Sequence, residues 1–195
     1  WRGTVGVWRG GGAAAANLAQ VVPRPAGRAI AMRDEVVDLL RRLVACDTSN
    51  PPGRETQAAA ILQEFCGNAG LRCERIEKDP DRTNLLVTLP GRGTGPSLGF
   101  LGHLDVVVAH RDHWSEEPFA AVERDGAIWG RGTVDMKCQV AATAVALATL
   151  AREGFTPNGD LMLMLMADEE IGDAGVGAPH FVEALPDLKP DFVVG

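Results

Sequence analysis

The sequence predicts an α/β protein, and two patterns carry that expectation. Apolar runs of strand length alternate along the chain with segments of helical spacing. Such alternation implies helices layered on a sheet with at least some parallel pairing. The second pattern is the run Asp160-Leu-Met-Leu-Met-Leu-Met-Ala167, apolar without alternation. That is how a central strand covered on both faces reads.

The elements follow in order. Residues 1–31 are rich in Gly, Ala, Pro and Arg, hold no acid and precede the first methionine, Met32. They are expected to be a disordered or non-native leader. An Arg-rich organelle transit peptide is the alternative, and the apolar centre is too short for a secretory signal. Residues 32–195 are expected to form the folded part. Met32 to Cys46 places Val36, Val37, Leu39, Leu40, Leu43 and Val44 at helical spacing. Thr48 to Gly53 reads as a loop, and Glu55 to Ala69 as a second helix stopped by Gly70. Leu71 to Ile76 and Asn84 to Leu89 are expected strands, and Pro90 to Pro96 is a turn whose spacing fits no phosphate-binding loop. Ser97 to Val108 reads as a buried strand running into a loop, and Ala127 to Gly130 as a short strand. Asp135 to Glu153 is an expected helix ended by Gly154. Gly177 to Leu185 is another helix, and Asp191 to Gly195 begins another buried strand.

Composition removes several function classes. A net charge of -7 argues against nucleic acid or an anionic membrane as partner, and no stretch approaches the ~20 apolar residues of a membrane span. Cys46, Cys66, Cys73 and Cys138 show no C-x-x-C spacing. They read as reduced, mostly buried thiols of a cytoplasmic protein, with a Cys66–Cys73 disulfide as the alternative.

Three acidic motifs interrupt the apolar pattern: Gly102-His103-Leu104-Asp105, Gly130-Arg-Gly-Thr-Val-Asp135-Met-Lys137 and Ala167-Asp168-Glu169-Glu170. Together they offer one imidazole and several carboxylates, a donor set suited to divalent metals. The first and third close apolar strands, where open α/β sheets bind ligands. His103 and Asp105 are spaced i, i+2, so on an extended chain they point the same way, and a carboxylate beside a ligating His fixes its tautomer. By itself the pair is equally an ordinary strand-end hydrogen bond. Asp135 follows a glycine-rich approach and opens a helix; it is a metal-bridging carboxylate or a helix N-cap. Glu169 and Glu170, adjacent on an extended chain, would point to opposite sides, one toward a metal and one toward a reacting carbonyl. The alternative is a solvated acidic loop that includes Asp168 and Asp173. His110 and His113 read as surface residues, His180 as a surface or core residue, and Trp114, Pro118, Phe119 and Trp129 as packing residues.

Taken together and in this order, the motifs resemble the zinc-dependent aminoacylase/carboxypeptidase superfamily, which includes acetylornithine deacetylases, succinyl-diaminopimelate desuccinylases and glutamate carboxypeptidases. The resemblance runs from about Met32 to Gly195 and rests on Gly102-His-Leu-Asp-Val-Val107, Trp129-Gly-Arg-Gly-Thr-Val-Asp-Met-Lys137 and Asp168-Glu-Glu-Ile-Gly172. It implies a three-layer α/β/α catalytic domain with a mostly parallel central sheet. It also implies two divalent ions, zinc with cobalt or manganese as alternatives, and cleavage of amide bonds in N-acyl amino acids or small peptides. Carried across, His103 is a ligand of the first metal and Asp105 the carboxylate that orients it. Asp135 bridges both metals through a cis bond to Met136, Glu169 is the general base, and Glu170 binds the second metal. The family's lid domain, through which the whole protein would form a homodimer, and its later ligands have no counterpart in these 195 residues. The resemblance therefore implies the amino-terminal portion of a larger enzyme, inactive by itself. A non-catalytic metal-binding or interaction domain on the same fold is the rival reading.

Overall fold

The structure is a computed structural model that describes residues 26–195. The expected leader lies outside the described residues up to residue 25. The first helix, α1 (Ala26–Val44), begins before Met32. Its apolar positions fall as the spacing predicts, with Leu39, Leu40, Leu43 and Val44 buried. Next come β1 (Ser49–Asn50), α2 (Thr56–Asn68), β2 (Arg72–Asp79) and β3 (Arg82–Leu89). They are followed by β4 (Leu98–His103), β5 (Val106–Val107), a single 3-10 turn over Arg111–His113, β6 (Val122–Arg124) and β7 (Ala127–Trp129). The chain continues with α3 (Lys137–Arg152), β8 (Leu161–Met166), α4 (Ala178–Ala184) and β9 (Phe192–Val194).

The main sheet has the order β2-β3-β8-β4-β9. β2 pairs antiparallel with β3, and β3 antiparallel with β8; β4 pairs parallel with β8 and with β9. The sheet is thus evenly mixed rather than mostly parallel. For β2 and β3 the cause is local: only the short segment after Asp79 separates them, and antiparallel strands alone can be joined by so tight a connection. The parallel pairing lies on the side that carries the acidic motifs. There the register His103↔Met166 ends β4 and β8 level with each other. Residues 104–105 and 167–170 consequently leave the same edge of the sheet side by side.

β8 explains its own composition. Leu163 and Leu165 join the core beneath α1, α2 and α3, while Met162, Met164 and Met166 join a second cluster with Phe181 of α4. Alternate side chains of one strand therefore serve opposite faces, giving three layers. Each fully buried leucine contributes about 1.5–3 kcal/mol. Gly102 permits the close seat of α3 on β4, since a Cβ there would meet Val140 at 3.2 Å and Met136 at 3.4 Å.

Several local expectations change. The strand expected to run from Ser97 into a loop by Val108 ends at His103; Leu104 and Asp105 turn inward, and what was expected as loop resumes as β5, paired parallel with β1. The expected helix at Asp135 starts at Lys137, so Asp135 is not its N-cap. The strand at the chain's end is not buried: Phe192, Val193 and Val194 are 61%, 52% and 56% exposed, because β9 is an edge strand that no described element covers. All four cysteines are free thiols. Among the described residues no helix is long and apolar enough to cross a membrane.

Candidate metal centre

The structure brings His103, Asp135 and Glu170 together: one ligand atom from each lies within 4.8 Å of the others. Their positions come from three separate devices. His103 is the last residue of β4 and is buried. Its Nδ1 lies 3.0 Å from the Asp105 carbonyl oxygen and 3.5 Å from Asp105 Oδ1, and its Nε2 lies 3.1 Å from Asp135 Oδ1.

Asp135 reaches the site on the loop before α3, and its peptide bond to Met136 is cis, as the resemblance implied. Lys137 pins that loop. Its side chain is fully buried, and Nζ donates to the carbonyls of Leu43 at 3.0 Å and Cys46 at 2.9 Å. A cation at the end of α1 satisfies orphan carbonyls and suits the helix dipole. Burial pushes this ammonium down to about 8, against the nearby Cys46, Asp47, Asp105 and Glu55, which raise it. Gly132 (φ +85) lets the loop pass, because a Cβ there would lie 2.8 Å from Val106 and 3.0 Å from Lys137.

Glu169 and Glu170 lie in a turn after β8, not on an extended chain, so the expected opposition of adjacent side chains does not apply. Both backbone N–H groups donate to Asp105, Glu169 to Oδ1 at 3.1 Å and Glu170 to Oδ2 at 3.0 Å. Glu169 Oε2 lies 3.8 Å from His103 Nε2. Glu170 Oε1 accepts from Val107 N at 3.2 Å.

Charge in the site is uneven. Burial lowers the His103 pKa, but hydrogen bonds with Asp105 and Asp135 and the charge of Asp105 outweigh it and lift the imidazole to about 9. Burial raises Asp105, yet His103, Asn50 and the N–H groups of Glu170 and Glu169 hold it below the usual carboxylate range. Burial and the neighbouring Asp135 and Asp105 push Glu170 up against the pull of His103. Among the described residues, the only cationic group within ion-pair distance of Asp135 and Glu169 is His103. Three carboxylates around one imidazole, with no Lys or Arg to offset them, are a donor set that a divalent cation fits. A cavity of about 340 Å³, lined by Leu101, His103, Met166, Glu169 and Pro179 among others, opens beside the cluster.

Sequence reasoning missed the layer beneath. Asp168 is buried, not part of a solvated loop. Its Oδ1 accepts from Asn50 Nδ2 at 2.9 Å and Arg82 Nη2 at 3.3 Å, and its Oδ2 from Ala174 N at 3.0 Å. Arg82 also pairs with the fully buried Glu55, Nε to Oε2 at 2.7 Å and Nη2 to Oε1 at 3.0 Å. Gly53 (φ +74) makes room for that guanidinium, since a Cβ would lie 2.4 Å from it. Nothing periodic marks Asn50, Glu55 or Arg82; the turn signal Asn50-Pro51-Pro52-Gly53 concealed the first. Elsewhere His110 and His113 are exposed, as read, and Trp129 is 40% exposed beneath the Arg124 guanidinium rather than packed inside.

Comparison with known proteins points to one family. Residues 99–195 match the model of "Peptidase family M20/M25/M40". A succinyl-diaminopimelate desuccinylase of Parvibaculum lavamentivorans is 39% identical over 140 residues, covering 69% of this chain and 34% of that protein. Human carnosine dipeptidase 1 superposes with a TM-score of 0.73 at 24% identity, over 86% of this chain and 39% of its own. A Bacillus subtilis protein described as a dinuclear metal-binding peptidase of the M20 family superposes at 0.60 and 17% identity, over 84% and 42%. The two structural likenesses establish the fold. Through residues 99–195 the chain belongs to peptidase family M20/M25/M40, and it spans roughly a third of the length of the curated desuccinylase it matches (34%).

Proposed function

We propose that this member of the M20/M25/M40 family contributes the metal-binding half of a hydrolase that cleaves amide bonds in N-acyl amino acids or small peptides. The observation that carries the reading is the convergence of His103, Asp135 and Glu170 within 4.8 Å, with Glu169 beside them. The names of the relatives, a desuccinylase and a dipeptidase, support the substrate class.

In this reading His103, Asp135 and Glu170 would hold two divalent ions, zinc with cobalt or manganese as substitutes. Asp135 offers two carboxylate oxygens, one of them 3.1 Å from His103 Nε2. When bound, the ions act as Lewis acids on the scissile carbonyl and make water a stronger acid. Asp105 holds His103 from Nδ1 and leaves Nε2 free to ligate. Glu169 is exposed to the cleft and accepts the proton of the attacking water at its carboxylate. It then returns a proton to the departing amine nitrogen, so that no charge is stranded on a poor leaving group. The mostly apolar cavity lined by Leu101, Met166 and Pro179 beside Glu169 offers room for part of a substrate.

The test is a screen of the product of the natural reading frame, with zinc, against N-succinyl and N-acetyl amino acids and dipeptides, reading free amine. The expected result is amine release that a chelator abolishes and added zinc restores. Metal binding at these residues without hydrolysis of any such amide would refute the reading.

A further inference from the structure

We infer that Asn50 is a positioning residue of this site: its carboxamide nitrogen ties Asp105 to Asp168 and so fixes the turn that presents Glu169 and Glu170. The inference rests on the function proposed above.

Asn50 is buried, and its Nδ2 lies 2.9 Å from Asp105 Oδ2 and 2.9 Å from Asp168 Oδ1. Two buried carboxylates therefore share one nitrogen. An amide NH2 has two hydrogens and no charge, so it can give one to each. Without those donors the two acids face each other with a desolvation cost and like-charge repulsion. The other charged groups facing the pair are Arg82 from β3, bonded to Asp168, the Glu55 carboxylate, which accepts from Arg82 and from Asp168 N, His103 beside Asp105, and the buried Lys137 ammonium near Asp105.

One end of this bridge is the first residue of the functional turn, and the other is the carboxylate that receives the turn's N–H groups. Asp168 begins it, held in a left-handed conformation (φ 59), and Asp105 caps the N–H groups of Glu169 and Glu170. Asn50 thus clamps the turn from below at both points. It is itself held, because β1 pairs with β5 and Thr48 Oγ1 donates to Leu104 O at 2.7 Å. Asn50 touches none of the three groups that converge as metal ligands; its effect passes through Asp105 and Asp168.

The experiment compares Asn50→Asp with Asn50→Ala in the zinc-loaded product of the natural reading frame, reading kcat, KM and cobalt affinity at pH 8 and pH 6. Aspartate matches the shape of asparagine but supplies no donor at pH 8. Alanine leaves a polar hole in which a water can donate to both acids. A positioning role therefore predicts that the isosteric change is the worse one. Asn50→Asp should lose about 100-fold in kcat at pH 8 and Asn50→Ala about tenfold, each with KM within about twofold. The Asn50→Asp protein should regain activity relative to wild type at pH 6, where its new carboxyl, crowded by two acids, holds a proton to donate.

A packing role predicts the reverse order. If Asn50→Ala is the worse variant, or Asn50→Asp stays within threefold of wild type at pH 8, the inference is overturned. Should Asn50→Asp fail to fold, Asn50→Ala decides alone: kcat within threefold of wild type overturns the inference, and a tenfold loss at unchanged KM supports it. A wild-type protein that neither binds cobalt nor releases amine would instead overturn the proposed function, and this inference with it.

Discussion

The acids of this molecule fall into two regions separated by a few ångströms and by opposite physics. Below the site, Glu55, Asp105 and Asp168 are buried, and every one is tied to Arg82, Asn50, His103 or backbone N–H groups. Above it, the side chains of Asp135 and Glu169 are 74% and 59% exposed, and among the described residues only His103 lies near them as a cation. Buried carboxylates with saturated oxygens hold geometry, whereas rim carboxylates with open oxygens remain free for a metal or a proton. The difference teaches that a carboxylate's role here follows from how many of its lone pairs the protein has already used.

Four substitutions or titrations sharpen that division. The largest effect belongs to the rim. Glu169→Gln should cost more than the ~10²–10⁴-fold typical of general acid–base catalysis, with metal content unchanged, because the same carboxylate also readies the nucleophile. Its unfolding free energy should move by less than about 0.5 kcal/mol, as for other exposed positions. Steady-state kinetics and urea unfolding on one preparation read both values.

The floor should behave the other way. Glu55→Ala leaves Arg82 buried with one fewer partner and should destabilise by about 3–5 kcal/mol, read as a lower urea midpoint. A loss under about 1 kcal/mol would place Glu55 outside the structural layer.

His103 joins the two regions. With its folded pKa raised to about 9 from 6.5, its contribution to stability is fully present below pH 6.5 and is lost as pH rises through 9. The metal-free protein should therefore weaken by about 3 kcal/mol over that window, and His103→Asn should flatten the slope. Metal uptake at pH 7.5 should release a proton from this imidazole, which calorimetry in buffers of different ionisation enthalpy detects.

The smallest effect concerns the support of the floor. Thr48→Val keeps shape but strands the Leu104 carbonyl, and should cost about 1–2 kcal/mol in thermal or urea unfolding.

The same division governs what the sequence revealed. The convergence of His103, Asp135 and Glu170 was legible because their motifs sit at strand ends and a helix start; the register of β4 on β8 brings the first and third together, and the loop pinned by Lys137 brings Asp135. The two-faced strand β8 was legible because its Leu and Met residues run without interruption. The floor was not: Asn50, Glu55 and Arg82 meet Asp168 across separations of 118, 113 and 86 residues, and no local period encodes such contacts. The turn at Glu169 reads as extended only if the strand pattern is carried past Met166, where β8 ends, through Glu170. The exposure of β9 was hidden because an edge strand and a central strand share one composition when short.

The central claim is that His103, Asp135 and Glu170 hold divalent metal. Anomalous diffraction at the zinc edge, from crystals of the zinc-loaded product of the natural reading frame, tests it most directly. The account predicts a peak about 2.0–2.2 Å from His103 Nε2 and from a carboxylate oxygen of Asp135, and a second about that far from Asp135 and Glu170. Zinc bound only elsewhere, with these three side chains hydrogen-bonded to one another, would contradict it.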